Sequence, residues 1–224
     1  MVLFLVDAKS QQEHDVHKYD NNGNLVDPWE QGLWSPTTIL DITHKASLQA
    51  WKDRVGPEEA ERVRSEAADR GTRVHEAISL ILKDVAVPIM DDEVPYTNAF
   101  LNWLPEKEHF TLRLSEGFVK SDKYGYAGTV DLVCDLGDEP WIIDFKTGSP
   151  QITHGLQLKA YQQAYYEMTG VKCRMAGLYL GTGTKKGWRF KEYKEPFYVF
   201  LAHKQIFDWQ MRKHPIKVPT KWEG

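Results

Sequence analysis

The stretch "YAGTVDLVCDLGDEPWIIDFKTG", residues 126–148, decides the architecture. Its two halves, "YAGTVDLVCDL" and "PWIIDFKTG", are rich in β-branched and aromatic residues and flank a turn at Gly137-Asp138-Glu139, which predicts two antiparallel neighbouring strands. Each half carries an acid among apolar residues: Asp131 between Val130 and Leu132, and Asp144 between Ile143 and Phe145. Asp is disfavoured inside strands, so each carboxylate either faces water or serves chemistry. Residues two apart in a strand share a face. Asp144 and Lys146 therefore point the same way, and the turn can bring Asp131 beside them. Neighbouring carboxylates repel, and one pKa rises unless a cation lies between them. Mg²⁺ is the usual such cation, because it takes oxygen ligands and keeps waters. An acid on one strand and acid-x-Lys on the next make a working core for metal-dependent phosphodiester hydrolysis, with Lys146 placed to position a water or offset developing charge. The carbonyl of Phe145, between those side chains, can contribute as well.

Working outward, "FTLRLSEGFVKS" (110–121) predicts a strand preceding these two, and "ITHGLQLKAYQQAYYEMTG" (152–170) a helix following them, closed by Gly170. "CRMAGLYLGTG" predicts another strand, "GWRFKEYKE" its hairpin partner, and "YVFLAHKQIFDWQMRKH" a final helix stopped by Pro215. Upstream, Ser35 as N-cap and Pro36 at the first position start one helix, and Gly56-Pro57-Glu58-Glu59 starts a longer one. Ala67, Val74, Ala77, Ile78 and Ile81 trace a stripe along the longer helix, which Gly71 interrupts. "VPYTNAFLNWLPEKE" predicts a shorter helix ending near Pro105, and "YDNNGNLVDP" a hairpin or loop at Asn22-Gly23. The expected fold is α/β, with a mixed central sheet between flanking helices. It forms one domain over 1–224: a mainly helical part to 109, a core over 110–180, and a basic hairpin with a C-terminal helix over 181–224.

Composition excludes several classes. The opening "MVLFLVD" lacks the basic leader and cleavage site of a secretory signal. No run approaches the roughly 18 apolar residues that span a bilayer, so a cytoplasmic, non-membrane protein is expected. Two cysteines, Cys134 and Cys173, cannot supply a four-cysteine zinc or iron–sulfur site. The net charge of -4 hides an asymmetry: residues 1–150 carry 15 Lys and Arg against 27 Asp and Glu, and residues 151–224 carry 13 against 5. The basic residues gather in "GTKKGWRFKEYKE" (183–195) and "MRKHPIKVPTKW" (211–222). Such clusters either neutralise phosphates or form a solvated hairpin and tail.

Two further signals flank the strands. His75 lies in "RGTRVHEAI", on a helix otherwise patterned for burial, with Gly71 and Thr72 one turn before it. Gln157 and Tyr161, at i and i+4, share a face of the helix after Lys146.

Taken in order, "RGTRVHEAI", "SEGFV", "GTVDLV", "IIDFKTG" and "QLKAY" resemble the successive motifs of the PD-(D/E)XK nuclease superfamily, in its RecB-like exonuclease branch. "SPTTIL" is similar to the first helix of phage-encoded and mitochondrial single-strand exonucleases of that branch, extending the resemblance to about residue 35. It implies a restriction-endonuclease-like αβββαβ core in which His75, Asp131, Asp144 and the Phe145 carbonyl ligate Mg²⁺ or Mn²⁺ and Lys146 is the catalytic lysine. Gln157 and Tyr161 match the Gln-x-x-x-Tyr motif that organises the site and contacts DNA. Glu116 matches an acid that binds a second metal or orients the lysine. Lys185, Lys186 and Arg189 would hold the DNA backbone, and Trp188 would stack a base.

Many relatives carry an iron–sulfur cluster, which this chain cannot build. No GxxxxGK[ST] motif occurs either, so processive unwinding would come from a partner such as a helicase, with a single-strand-binding protein or recombinase as further partners. The expected activity is metal-dependent DNA exonuclease, leaving 5′-phosphates, in phage-type replication, recombination or repair. The site would then lie in the host cytoplasm if phage-encoded. The rivals are a structure-specific endonuclease on the same core, a DNA-binding or assembly protein without activity, and a Mg²⁺-dependent phosphatase acting on small phosphates. Strand polarity, strandedness and oligomeric state are not written in these motifs.

Overall fold

The computed structural model describes residues 17–26, 31–43, 46–104 and 110–213. Near its start β1 (Lys18–Tyr19) pairs antiparallel with β2 (Leu33–Trp34). The turn expected at Asn22-Gly23 forms between them: the Asp20 carboxylate accepts from the N–H groups of Asn22 and Asn24 at 2.8 and 2.9 Å, and Gly23 takes φ 89°. α1 (Pro36–Leu40) begins as the sequence predicts, with Ser35 Oγ accepting from Thr38 N–H at 3.1 Å. It is a single short turn and a half, and the apolar pattern does not anticipate the break before α2 (Ala46–Val55).

α3 (Pro57–Leu82) runs unbroken through Gly71, so the interruption expected there is compositional and not structural. α4 (Val94–Trp103) is fastened to it by Arg73, whose guanidinium reaches buried Glu93 at 2.6 Å and Asp92 at 2.7 Å. Residue 105 and the basic stretch beyond 213, with the stop expected at Pro215, lie outside the described residues.

Five strands form the central sheet in spatial order of sequence: β3 (Phe110–Ser121), β4 (Tyr126–Leu136), β5 (Glu139–Lys146), β6 (Arg174–Leu180) and β7 (Trp188–Tyr193). All neighbours are antiparallel except β5 and β6, whose parallel pairing needs the crossover helix α5 (His154–Thr169). Gly170, left-handed at φ 74°, ends α5, and α6 (Phe197–Lys213) follows β7. The result is the expected mixed α/β architecture, with helices on both faces of the sheet.

The alternation of β5 sorts the two cores. Trp141, Ile143 and Phe145 join Val74, Ile78, Phe100 and Trp103 on the side of α3 and α4. Ile142 joins Leu158, Tyr161 and Phe200 on the side of α1, α5 and α6. Asp144 and Lys146 continue the row of Ile142, so the same period that buries the strand delivers an acid and an amine beneath α5.

A Cβ placed on Gly71 would meet only Thr147 Oγ1, at an ordinary 3.6 Å. Because Gly in a helix interior costs about 1 kcal/mol relative to Ala, Gly71→Ala should raise the unfolding free energy by up to about that amount. Urea denaturation measures it, and a loss of stability would contradict the packing described.

Candidate active site

The ladder between β4 and β5 ends at Leu132 and Ile143, although β5 continues beside β6 as far as Lys146 and Tyr179. Phe145 is thus left with N–H and C=O groups facing a strand that has turned away. Side chains complete both. Asp131 Oδ2 accepts the Phe145 N–H at 2.6 Å, and His75 Nε2 lies 3.1 Å from the Phe145 carbonyl. A carbonyl only accepts, so this contact puts a proton on Nε2 and turns Nδ1 toward the acids. His75 Nδ1 stands 3.5 Å from Asp131 Oδ1 and 3.8 Å from Glu116 Oε1.

Glu116 reaches this point through an unusual backbone. The pairs Ser115–Leu132 and Gly117–Val130 bracket it opposite Asp131, after a register shift between Leu112 and Leu114. Its φ is 48°, a left-handed conformation that a residue with a Cβ adopts at a cost of order 1–3 kcal/mol. One ligand atom each from His75, Glu116 and Asp131 falls within 4.8 Å of the others, a grouping able to hold a metal ion. Asp144 stands outside that grouping. Its Oδ2 is 2.7 Å from Lys146 Nζ, and its Oδ1 accepts from Gln157 Nε2 at 3.3 Å. Gln157 Oε1 in turn accepts from Lys146 at 3.4 Å, and Gln157 Nε2 reaches the Tyr161 hydroxyl at 3.4 Å. Every residue expected from the five motifs therefore arrives at one place, in two groups: His75, Glu116 and Asp131 with the Phe145 carbonyl, and Asp144, Lys146, Gln157 and Tyr161.

Electrostatics bind the groups together. Burial favours protonated Glu116, and the Asp131 charge adds to it, pushing the carboxyl up to about 7. Burial likewise pushes Asp144 up to about 6, with Asp131 opposing Lys146. For Asp131, burial acts in the same direction but is outweighed by His75, Lys146 and the Phe145 N–H, so it stays below the usual carboxylate range. Burial works against a charged His75, yet Asp131 and Glu116 hold it at about 9. Burial also opposes the Lys146 ammonium, and Asp144 and Asp131 raise it above its ordinary value regardless.

Lys185 and Lys186 are exposed in the β6–β7 connection, and Lys186 Nζ lies 4.9 Å from the Trp188 ring centroid. Register runs from Lys146 to Tyr179 to Arg189, so Arg189 shares the face of Lys146 two strands away. Cys134 and Cys173 are both buried, and no described helix is long and apolar enough to cross a membrane.

Two features escape the sequence reading. A cavity of about 220 Å³ adjoins Lys146 and Gln157, walled by Thr37 and Leu40 of α1, by Asp41 just after it, and by Gln151, Thr153 and His154 before and at the start of α5. Nothing in the local pattern joins residues 37–41 to 151–154, since the wall exists only after the chain folds. The other is Gly128, quoted within "GTVDLV" without a role. A Cβ there would lie 2.7 Å from Tyr161 Cε1 and 3.2 Å from Pro36 Cδ.

Acids and a lysine gathered at the end of a sheet are groups that can support metal-dependent phosphodiester hydrolysis. The chain belongs to the PD-(D/E)XK nuclease superfamily, whose family profile matches residues 44–211. It is accordingly a nuclease by family, with DNA the substrate that membership implies and divalent metals the family's general cofactors. No curated protein matches the chain. Among solved structures, the crystal structure of SSO0001 aligns over 70% of this chain and 76% of that one, at 17% identity and a TM-score of 0.28, a likeness from which nothing is transferred.

Gly128→Ala should displace Tyr161 and cost about 1–3 kcal/mol of stability by overpacking. Denaturation of the purified variant checks this, and wild-type stability would show that Tyr161 can move freely.

Proposed function

We propose that the chain is a Mg²⁺- or Mn²⁺-dependent DNA exonuclease of the RecB-like branch, releasing 5′-phosphates in phage-type replication, recombination or repair. The observation that carries this reading is the Phe145 peptide, whose two polar groups are held by Asp131 and His75 while its neighbours Asp144 and Lys146 form an ion pair beside them. The donor set suits a hard divalent cation with room for waters: two carboxylate oxygens and one imidazole nitrogen converge within 4.8 Å.

His75, Glu116 and Asp131 would hold the ion, with Asp144 joining as Lys146 turns toward substrate. When bound, the ion supplies charge neutralisation at the phosphate and a more acidic water. The Phe145 carbonyl fixes the His75 tautomer from behind, as outer partners of ligating histidines do. The Lys146 ammonium faces negative charge as it builds on the phosphate oxygens, and Gln157 keeps it and Asp144 in mutual reach. Tyr161 holds Gln157 from the far side. Lys185, Lys186 and Arg189 would neutralise backbone phosphates leading away from this point.

Lys146→Ala should abolish cleavage of linear DNA while leaving binding nearly intact. End-labelled linear and circular DNA, incubated with Mg²⁺, Mn²⁺ or EDTA, tests the reading directly. Loss of linear substrate with circles untouched supports an exonuclease; cut circles would favour the endonuclease alternative. Normal turnover by Lys146→Ala would remove the assignment.

Metal binding carries a proton signature. In the metal-free site at neutral pH, His75, near 9, is protonated and Glu116, near 7, is about half protonated, and ligation requires these protons to leave. Metal affinity should therefore rise from pH 6 to 9, with proton release at neutral pH. Mn²⁺ titration calorimetry in buffers of different ionisation enthalpy reads this, and a pH-independent affinity without proton release would exclude His75 and Glu116 as ligands.

Reversing Lys185 and Lys186 to Glu should weaken DNA binding and flatten its salt dependence by roughly one unit per lost phosphate contact. An unchanged slope would take the hairpin off the DNA path.

A further inference from the structure

Ile152 is 79% exposed, the most exposed large apolar side chain among the described residues. Its position gives that exposure meaning. Gln151 and Thr153, on either side of it, both line the cavity beside Lys146. The turn that carries it is fixed: Gln151 N–H donates to His154 Nδ1 at 3.3 Å, His154 N–H returns to the Gln151 carbonyl at 3.4 Å, and the Tyr179 hydroxyl lies 2.9 Å from the same Nδ1. A rigid turn therefore holds an isoleucine out at the rim of a pocket, where folding gives it nothing to pack against.

The cavity suits one nucleoside. At about 220 Å³ it lies below the roughly 300–1,000 Å³ of pockets for drug-sized ligands. Leu40 offers an apolar wall, and the Thr37 and Thr153 hydroxyls, the Gln151 amide and the Asp41 carboxylate offer partners for a sugar or a base edge. On the proposed nuclease reading, the scissile phosphate sits at Lys146, so an adjoining nucleoside falls directly into this space. A space of about 220 Å³ is enough for one nucleoside but not for that nucleoside with its pairing partner. Entering it strips the next base of its stacking neighbour, and Ile152 stands at the rim to cover the bared face, as inserted apolar side chains do elsewhere.

We propose that Ile152 is a base-covering wedge and that the α1–α5 cavity seats one unstacked nucleoside, so that the substrate strand is engaged single-stranded. This rests on the nuclease reading and specifies the strand form that reading leaves open. The probe is a single-stranded oligonucleotide with 2-aminopurine at the terminal nucleotide, bound in EDTA so that no turnover occurs. Wild-type protein should raise its fluorescence as the base leaves the stack. Ile152→Ala should lose most of that rise, Ile152→Leu should keep it, and kcat/KM on single-stranded DNA should fall about ten-fold for Ile152→Ala, in keeping with one lost base contact. Hydrolysis of bis(p-nitrophenyl) phosphate, a diester without bases, should not change. Equal fluorescence and equal DNA turnover for wild type and Ile152→Ala would overturn the proposal while leaving the nuclease reading intact. Absence of hydrolysis of either substrate by wild type would instead strike the nuclease reading, and the fluorescence arm, read without metal, would still decide the wedge.

Discussion

The peptide unit at Phe145 is the constraint on which the site depends. Where β4 parts from β5, a buried N–H and a carbonyl lose their ladder partners, and leaving such groups unbonded costs roughly 1–3 kcal/mol each. Asp131 and His75 satisfy them, so the side chains proposed to hold the metal are also structural ones at the end of a strand pair. The Phe145 ring meanwhile lies almost wholly buried, edge-on to Phe100 and to the His75 ring. The strand is pinned from the opposite core at the residue whose peptide the site holds. Asp144 and Lys146 have little freedom to shift along the sheet.

Around that fixed peptide the charges are arranged in opposition. Burial alone would neutralise every group present, and the paired signs prevent it: His75 keeps Asp131 ionised, and the acids keep His75 and Lys146 charged. Glu116 and Asp144 remain the acids pushed furthest toward protonation, by burial first and then by the Asp131 charge beside them. A divalent cation bound among them would allow all three acids to ionise at once. The left-handed backbone at Glu116 fits the same account, as strain spent on aiming a carboxylate at its neighbours.

Much of this was legible in order along the chain. Asp131 and Asp144-x-Lys146 stood out because charged residues interrupted β-branched runs, and the short Gly137 turn could bring them together. Gln157 and Tyr161 followed from helical spacing. Other features were hidden because they depend on distance across the fold. The role of Gly128 appears only once the Tyr161 ring lies against it, the break between α1 and α2 follows no change of pattern, and the cavity has one wall from residues 37–41 and another from residues 151–154.

By itself the sequence determined the strands of the central sheet and most of the helices, their order, and the two-residue period that places Asp144 and Lys146 on one face. Tertiary structure alone decided how the site residues divide: Asp144 with Lys146 and Gln157, and Glu116 with Asp131 and His75. The physical reason is that periodicity fixes which way a side chain points relative to its own strand or helix. Where β4 leaves β5, which backbone groups are left unpaired, and which side chains turn to meet them are set by contacts between elements far apart in the chain.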